Sequence, residues 1–317
     1  MLFVFLAFGL GPNAALLGAA PARMRVEGLL EPVAVISEPL PRFSFLHGEL
    51  SAGSGFGITQ TSYRITVSNL DGGGALVWDS GVVKTANCSQ IEYAGKSLAP
   101  FTRYAWTAEW TSSAGVTSAQ AISHFETGLL AASDWHGAKW FVPTGVANKT
   151  LFRAEFSLPT GETPSYARAF VAATGCAHIE VNGRVPEPNL LGICPWAIGA
   201  NTVRYVTHDI TPLLTPGGRK FAVGLIAGHV MAGIGALRGG GPPVQMAALF
   251  VVKYPGNSEP VFYSSSPAEK GWLVGDSYVT ADSAWATAID WSRTCIGFRH
   301  EAFSTTFLSP IGSPQET

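Results

Sequence analysis

Charge is scarce in this chain. Lys, Arg, Asp and Glu make up only 13% of its 317 residues and the net charge is −2, where an ordinary globular domain carries about a quarter charged residues. No basic cluster occurs, which excludes nucleic acid as a partner, because phosphate recognition needs grouped Lys and Arg. A long amphipathic helical period is also missing, so a helical fold is excluded. The four cysteines, Cys88, Cys176, Cys194 and Cys295, have no metal-type spacing. Gly233-Ile234-Gly235 and Gly239-Gly240-Gly241 lack the spacing, the following helix and the acidic partner of a dinucleotide loop. The serines, Ser80 and Ser265 among them, have no nucleophile-elbow context, so no triad can be argued. The seven histidines are scattered; His178 and His208 could meet in space, but neither has a ligand-like neighbour.

What is abundant is turn chemistry and aromatic bulk: 36 Gly, 21 Pro and 9 Trp. Gly and Pro at this density suit a turn-rich β protein. The clearest strand lies at Tyr104-Ala105-Trp106-Thr107-Ala108-Glu109-Trp110, where aromatics stand at 104, 106 and 110 with Ala108 between them on the same alternating face. A period of two predicts a strand with one buried face. The lead-in Leu98-Ala99-Pro100-Phe101-Thr102-Arg103 adds a turn that Tyr104 can tie to the strand, as in immunoglobulin-like sandwiches. Tryptophans could also offer sugar-stacking faces, but aromatics mostly fill cores.

Residues 1–22 carry no charged side chain, and Leu2–Leu10 is a short apolar run ahead of Ala20-Pro21-Ala22. This reads as a secretory signal peptide over 1–22, too short and too broken by Gly and Pro for a membrane span. The expected location is therefore secreted or extracellular. In such a compartment Cys176 and Cys194 could bridge, although four cysteines allow three connectivities. Asn87-Cys88-Ser89 and Asn148-Lys149-Thr150 are N-glycosylation triplets, in keeping with secretion in a host that glycosylates.

The length suits two domains. In the first, over 23–128, Thr61–Val67, Leu76–Gly81 (a strand entering a turn), Ser89–Tyr93, the aromatic strand and Ser123–Gly128 are separated by turn signals. In the second, over 129–290, strands are expected at Phe152–Leu158, Tyr166–Thr174, Ala177–Val181, Val203–Val206, Lys220–Ile226 and Val244–Lys253. Asn182-Gly183 is the strongest hairpin signal, since both residues tolerate positive φ. Asp209–Leu214 allows one short helical turn. Residues 291–317 read as a tail or the start of a further domain. The fold class is thus all-β, two tandem antiparallel sandwiches.

Several of these pieces resemble the N-terminal region of bacterial-type α-L-rhamnosidases, glycoside hydrolase family 78. Met24–Leu29 with Pro41–Phe45 is similar to that family's lead-in, and Gln60–Val67, Val77–Gly81 and Leu98–Trp106 to its fibronectin-like module. Phe125–Leu130 with Asp134-Trp135 and Ala138–Phe141 resembles its inter-domain junction. Gly175 with Ile179–Gly183, then Tyr205 with His208–Thr211 and Leu214, resembles the sandwich that follows. The resemblance covers residues 24–255 and implies a fibronectin type III-like domain, then a jelly-roll, carbohydrate-binding-like one.

The resemblance also implies that catalysis, hydrolysis of terminal α-L-rhamnose by a pair of carboxylates, belongs to an (α/α)6 barrel C-terminal to these modules. Beyond Gly271 the sequence drifts, with Asp290–Cys295 in place of the family's acidic lead into its next domain. No catalytic residue is therefore expected in this chain. It reads as an accessory portion whose partners are a rhamnose-containing glycan and a catalytic domain elsewhere. The alternatives are a truncated gene model of a whole rhamnosidase and an adhesive sandwich pair with no sugar site. The candidate carbohydrate-binding residues are Asn182, Arg184, Glu187, Asn189 and Trp196, which combine planar polar groups for paired hydroxyls with an aromatic face. No cofactor is expected; calcium is the ion the resemblance would allow, although Pro186-Glu187 stands where the family has Gly-Asp.

Overall fold

The computed structural model describes residues 19–33, 35–48, 57–142, 149–159, 161–173, 176–186, 205–228, 246–256, 259–265, 273–275 and 309–310. Among them every regular element is a β-strand except two single 3-10 turns, Ala132–Trp135 and Thr211–Leu213. The chain divides into two compact units, residues 1–32 with 38–126, and residues 33–37 with 127–317.

Unit 1 is a three-on-four sandwich. Strands β1 (Ala22–Val26), β2 (Arg42–Leu46) and β5 (Ile91–Glu92) form one antiparallel sheet in the order β1-β2-β5. Strands β3 (Gln60–Asn69), β4 (Ala75–Asp79), β6 (Arg103–Ser112) and β7 (Ala121–Glu126) form the other, in the order β4-β3-β6-β7. The alternation on β6 is complete: Tyr104, Trp106, Ala108 and Trp110 are buried, and each residue between them is partly exposed. Directly opposite on β3 stand Val67 for Trp106, Ile65 for Ala108 and Tyr63 for Trp110. Antiparallel partners share a face, so these rows make one inward wall. Phe43 of the facing sheet closes on Trp106 with ring centroids 4.8 Å apart, and Tyr104 stacks on Phe125 at 5.2 Å. Each such ring removes roughly 2 kcal/mol worth of apolar surface from water. Ion pairs sit at the periphery, Arg42 with Glu27 and Arg64 with Asp79, both at 2.6 Å. The expected tie is present: Ala99 N–H donates to Tyr104 Oη at 3.0 Å, and burial pushes that phenol's pKa up.

One feature lies outside the sequence expectation. The segment Met24–Phe45, where no strand was expected, contributes most of β1 and β2. Residues just before β1 also pack here, where the Trp110 indole N–H donates to the Ala19 carbonyl at 3.0 Å. Ala19 falls within the stretch read as a leader.

Unit 2 is built from β8 (Phe141–Val142), β9 (Lys149–Ser157), β10 (Tyr166–Ala173), β11 (Cys176–Val181), β12 (Tyr205–Asp209), β13 (Lys220–Gly228), β14 (Met246–Lys253), β15 (Val261–Ser264), β16 (Leu273–Gly275) and β17 (Ser309–Pro310). One sheet runs β12-β10-β14-β8-β17 with β15 also on β14; the other runs β11-β13-β9-β16. Their facing sides enclose one core of Phe152, Phe156, Ala169, Val171, Ile179, Val223, Leu225, Phe250 and their neighbours. Phe156 anchors it, with Phe221 at 5.2 Å and Phe250 at 5.6 Å.

Strands β10 and β14 are buried at every position, more than a two-layer sandwich requires. The extra cover comes from residues 127–140. There Trp135 meets Tyr205 edge-on at 5.6 Å and His136 stacks on Phe262 at 3.4 Å. Ser265 fastens the same segment: its Oγ donates to the Lys139 carbonyl at 2.8 Å and accepts Ala248 N–H at 3.0 Å. The connector is thus a third layer of unit 2. Upstream, Ile36 forms a parallel bridge with Thr127.

Candidate functional site

The Asn182-Gly183 turn closes the end of β11. Val181 and Arg184 exchange both backbone hydrogen bonds, at 2.9 and 3.0 Å, with φ of +50° at Asn182 and +73° at Gly183. Two consecutive left-handed residues make a type I′ turn, which Asn-Gly adopts with least strain. The turn is then lashed to the backbone around it. Asn182 Oδ1 accepts Ala222 N–H at 2.9 Å, and Asn182 Nδ2 donates to the Leu213 carbonyl at 3.0 Å. Arg184 Nη2 donates to the Pro212 carbonyl at 2.9 Å. The 3-10 turn at Thr211–Leu213 is thereby fixed against the hairpin.

Of the five residues read as sugar ligands, the structure brings Asn182 and Arg184 together on this turn. Glu187, Asn189 and Trp196 lie outside the described residues, as do the glycine-rich stretch 233–241, Cys194, Cys295 and Asp290–Cys295. Arg184 is exposed, and among the described residues its side chain makes the one hydrogen bond to Pro212, out of the five N–H groups a guanidinium offers. Asn182 spends its amide on the fold. Calcium fits the described part of the turn poorly. Asn182 Oδ1 and the Pro212 and Leu213 carbonyls already accept hydrogen bonds, and among the described residues no group of three His, Cys, Asp or Glu could hold a metal.

His178 and His208 do not meet on one face. His178 lies opposite Ile226, on the outer side of its sheet, whereas His208 lies opposite the core residue Ala169 in the other sheet. The partner His178 does have is Glu180, two residues along the same strand, with Nε2 and Oε1 3.5 Å apart. Glu180 is 1% exposed, and among the described residues neither of its carboxylate oxygens receives a hydrogen bond. Across the sheet Glu180 faces Gly224, and Gly224 faces the buried Arg153 of β9. Sequence reasoning treated β11 as an ordinary strand. The signal available was polar residues at 178 and 180 on one face, alternating with Ile179 and Val181 on the other.

The other well-placed carboxylates are structural. Asp209 bonds Arg168, whose guanidinium also reaches Thr211 Oγ1 at 2.8 Å and lies over the Tyr166 ring at 4.4 Å. Glu155 pairs with Lys220 at 2.7 Å and Asp71 with Arg103 at 2.7 Å. Asp134 accepts the amides of Leu130 and Ala131, both at 2.9 Å. Asp79 is held down to about 2 by the Arg64 guanidinium and then by the Gly81 amide.

Comparison with known proteins agrees with this architecture. Residues 21–131 match the model of the Rha78A-like N-terminal immunoglobulin domain. The chain is 27% identical over 268 residues to an alpha-L-rhamnosidase of Formosa agariphila, covering 74% of this chain and 27% of the relative. Among solved structures it is similar to an alpha-L-rhamnosidase from Dictyoglumus thermophilum, with TM-score 0.62 and 22% identity over 83% of this chain and 30% of that one. It is also similar to one from Aspergillus terreus, with TM-score 0.65 and 18% identity over 88% and 33%. The structural likenesses establish shared fold. The chain spans about a quarter of the length of the curated relatives it matches, and it resembles their N-terminal part.

Proposed function

We propose that these two sandwiches are a non-catalytic, carbohydrate-binding accessory portion of an α-L-rhamnosidase-like glycoside hydrolase, acting outside the cell on rhamnose-containing glycans. The observation that carries this reading is the extent of the likeness, which runs along most of this chain and only the first part of proteins named alpha-L-rhamnosidase. Glycoside hydrolysis needs two carboxyl groups about 5–10 Å apart, one held protonated and one ionised. Asp71, Asp79, Glu155 and Asp209 instead sit in ion pairs with Arg or Lys, which suits a support rather than an acid–base pair.

Binding would centre on the Asn182–Arg184 turn and the residues that follow it. Arg184 offers paired donors for adjacent sugar hydroxyls, Glu187 and Asn189 offer acceptors, and Trp196 offers an apolar face for sugar C–H groups. Calorimetric titration of the purified 317-residue chain with L-rhamnose and aryl α-L-rhamnosides tests this. Saturable heat in the millimolar range that Trp196→Ala abolishes is the expected result; no heat at millimolar sugar sinks the binding role. Release of aryl alcohol by the chain alone would overturn the non-catalytic one. Among the described residues no helix is long and apolar enough to cross a membrane.

A further inference from the structure

We propose that Asn87 is an acceptor for an N-linked oligosaccharide. The inference rests on the extracellular part of the reading above and is independent of sugar binding. Asn87-Cys88-Ser89 lies wholly in the loop between β4 and β5, and Asn87 and Ser89 are both exposed. The Asn87 side chain makes one hydrogen bond among the described residues, Oδ1 accepting Ser89 N–H at 3.2 Å. That leaves the amide nitrogen Nδ2 unengaged at the surface.

The backbone beneath it is firmly held. Gln60, only 4% exposed, donates from Nε2 to the Asn87 carbonyl at 2.8 Å and to the Thr85 carbonyl at 3.1 Å. Its Oε1 lies 2.9 Å from His47 Nε2. Asn87 N–H donates to Thr85 Oγ1 at 3.1 Å, Cys88 O accepts Phe45 N–H at 2.9 Å, and Gln90 N–H donates to Ser44 Oγ at 2.9 Å. Every polar atom of Asn87 that supports the fold is therefore main-chain, apart from the local Oδ1 contact. An oligosaccharide on Nδ2 would project into solvent without breaking any of these bonds. Cys88 is a free thiol, so no disulfide restrains the middle of the triplet. The second triplet differs. Its Thr150 is inside β9, opposite Ala227.

The chemistry is a glycosyl transfer from a lipid pyrophosphate-linked oligosaccharide. A bond forms between Nδ2 and the anomeric carbon, the anomeric carbon–oxygen bond to pyrophosphate breaks, and the lipid pyrophosphate leaves as Nδ2 loses a proton. The Ser89 hydroxyl is the group the transferring enzyme reads two residues on.

The full chain, secreted from a yeast behind a strong signal sequence, provides the test, so that its own leader does not decide the outcome. Intact mass should exceed the sequence mass and fall on enzymatic deglycosylation, with Asn87 recovered as aspartate in peptide mapping. Asn87→Gln and Ser89→Ala should each remove modification at this peptide, and Ser89→Thr should retain it. Secreted protein whose Asn87 peptide is wholly unmodified would overturn the assignment, whether or not Asn148 carries sugar. Rhamnose titration of the Asn87→Gln protein reads the sugar-binding proposal separately.

Discussion

Asn182 and Ala222 hold each other by two hydrogen bonds, Asn182 N–H to Ala222 O and Ala222 N–H to Asn182 Oδ1, each at 2.9 Å. One side chain thus continues the β11–β13 ladder past the point where the strand turns away. It does so from a left-handed backbone conformation that asparagine tolerates better than any other residue with a side chain except aspartate.

Asn182→Ala strands the Ala222 amide and the Leu213 carbonyl and leaves alanine at positive φ, so a loss of about 2–3 kcal/mol is expected. Asn182→Gly keeps the backbone relaxed and should lose less. Asn182→Asp keeps the acceptor for Ala222 but not the donor to Leu213, and should fall between. Urea unfolding of unit 2 would read the order. Equal losses across the series would show that the conformational contribution is absent.

Tyr104→Phe removes the acceptor of Ala99 N–H and the hydroxyl's side-chain hydrogen bond with Thr102. The ring packing on Phe125 survives, so the expected cost is about 1–2 kcal/mol, the value of partly buried hydrogen bonding left unmade. Thermal unfolding should show unit 1 melting earlier and unit 2 unmoved.

Gly95→Ala should be worse than its size suggests. A Cβ there runs into the Tyr93 ring and comes within 3.0 Å of Trp78 Cβ, and both rings pack with Phe43. A loss of about 1–3 kcal/mol is expected from this overpacking. Pairing it with Tyr93→Leu should recover part of the loss, which a double-mutant cycle would measure.

Glu180→Met should stabilise unit 2 by about 1–2 kcal/mol, because a buried carboxylate that receives no hydrogen bond among the described residues is replaced by an apolar chain of similar shape. His178 then loses its neighbour at 3.5 Å, which limits the gain. A lower melting temperature would show that Glu180 is stabilised by an interaction beyond His178.

Acid should weaken unit 1 through Asp79. Its folded pKa is about 2, below the ordinary 3.8, so the ionised form is favoured by folding. That contribution is complete above pH 4 or so and is lost as pH falls toward 2. The carboxylate is partly solvent-exposed, so the effect is small. Asp79→Asn should flatten the acid limb of the stability curve between those values. His136 acts in the same direction at higher pH: burial lowers its pKa, so the folded connector loses stability as pH falls through the usual histidine range and the unfolded state takes up the proton first.

The strands carrying a strict period of two were legible from sequence. On β6 each expected inward residue is buried, because aromatic alternation has one low-energy solution on a pleated surface. The Asn-Gly hairpin was equally legible, since its chemistry is local. Strands β1 and β2 were not, because Pro and Gly around them mask short runs whose partners are distant in sequence. The third layer over β10 and β14 could not be seen either. Continuous runs such as Met246–Val252 do signal burial on both faces, but not that residues 127–140 supply the cover. At the site, Asn182 and Arg184 were found for their polarity. Their commitment to Leu213, Pro212 and Ala222 depends on the 3-10 turn's position, which no local pattern encodes.

The bridge between Ile36 and Thr127 has a consequence for synthesis on the ribosome. Ile36 emerges early and must wait for all of residues 38–126 before its partner exists. Unit 1 shortens that wait in space, since Glu126 N–H reaches the Pro32 carbonyl at 2.8 Å once β7 is in place. Closing so long a loop in an unfolded chain is entropically costly, whereas a folded unit 1 delivers both ends already side by side. Folding of residues 38–126 before the Ile36–Thr127 bridge closes is therefore the order that costs the least loop entropy.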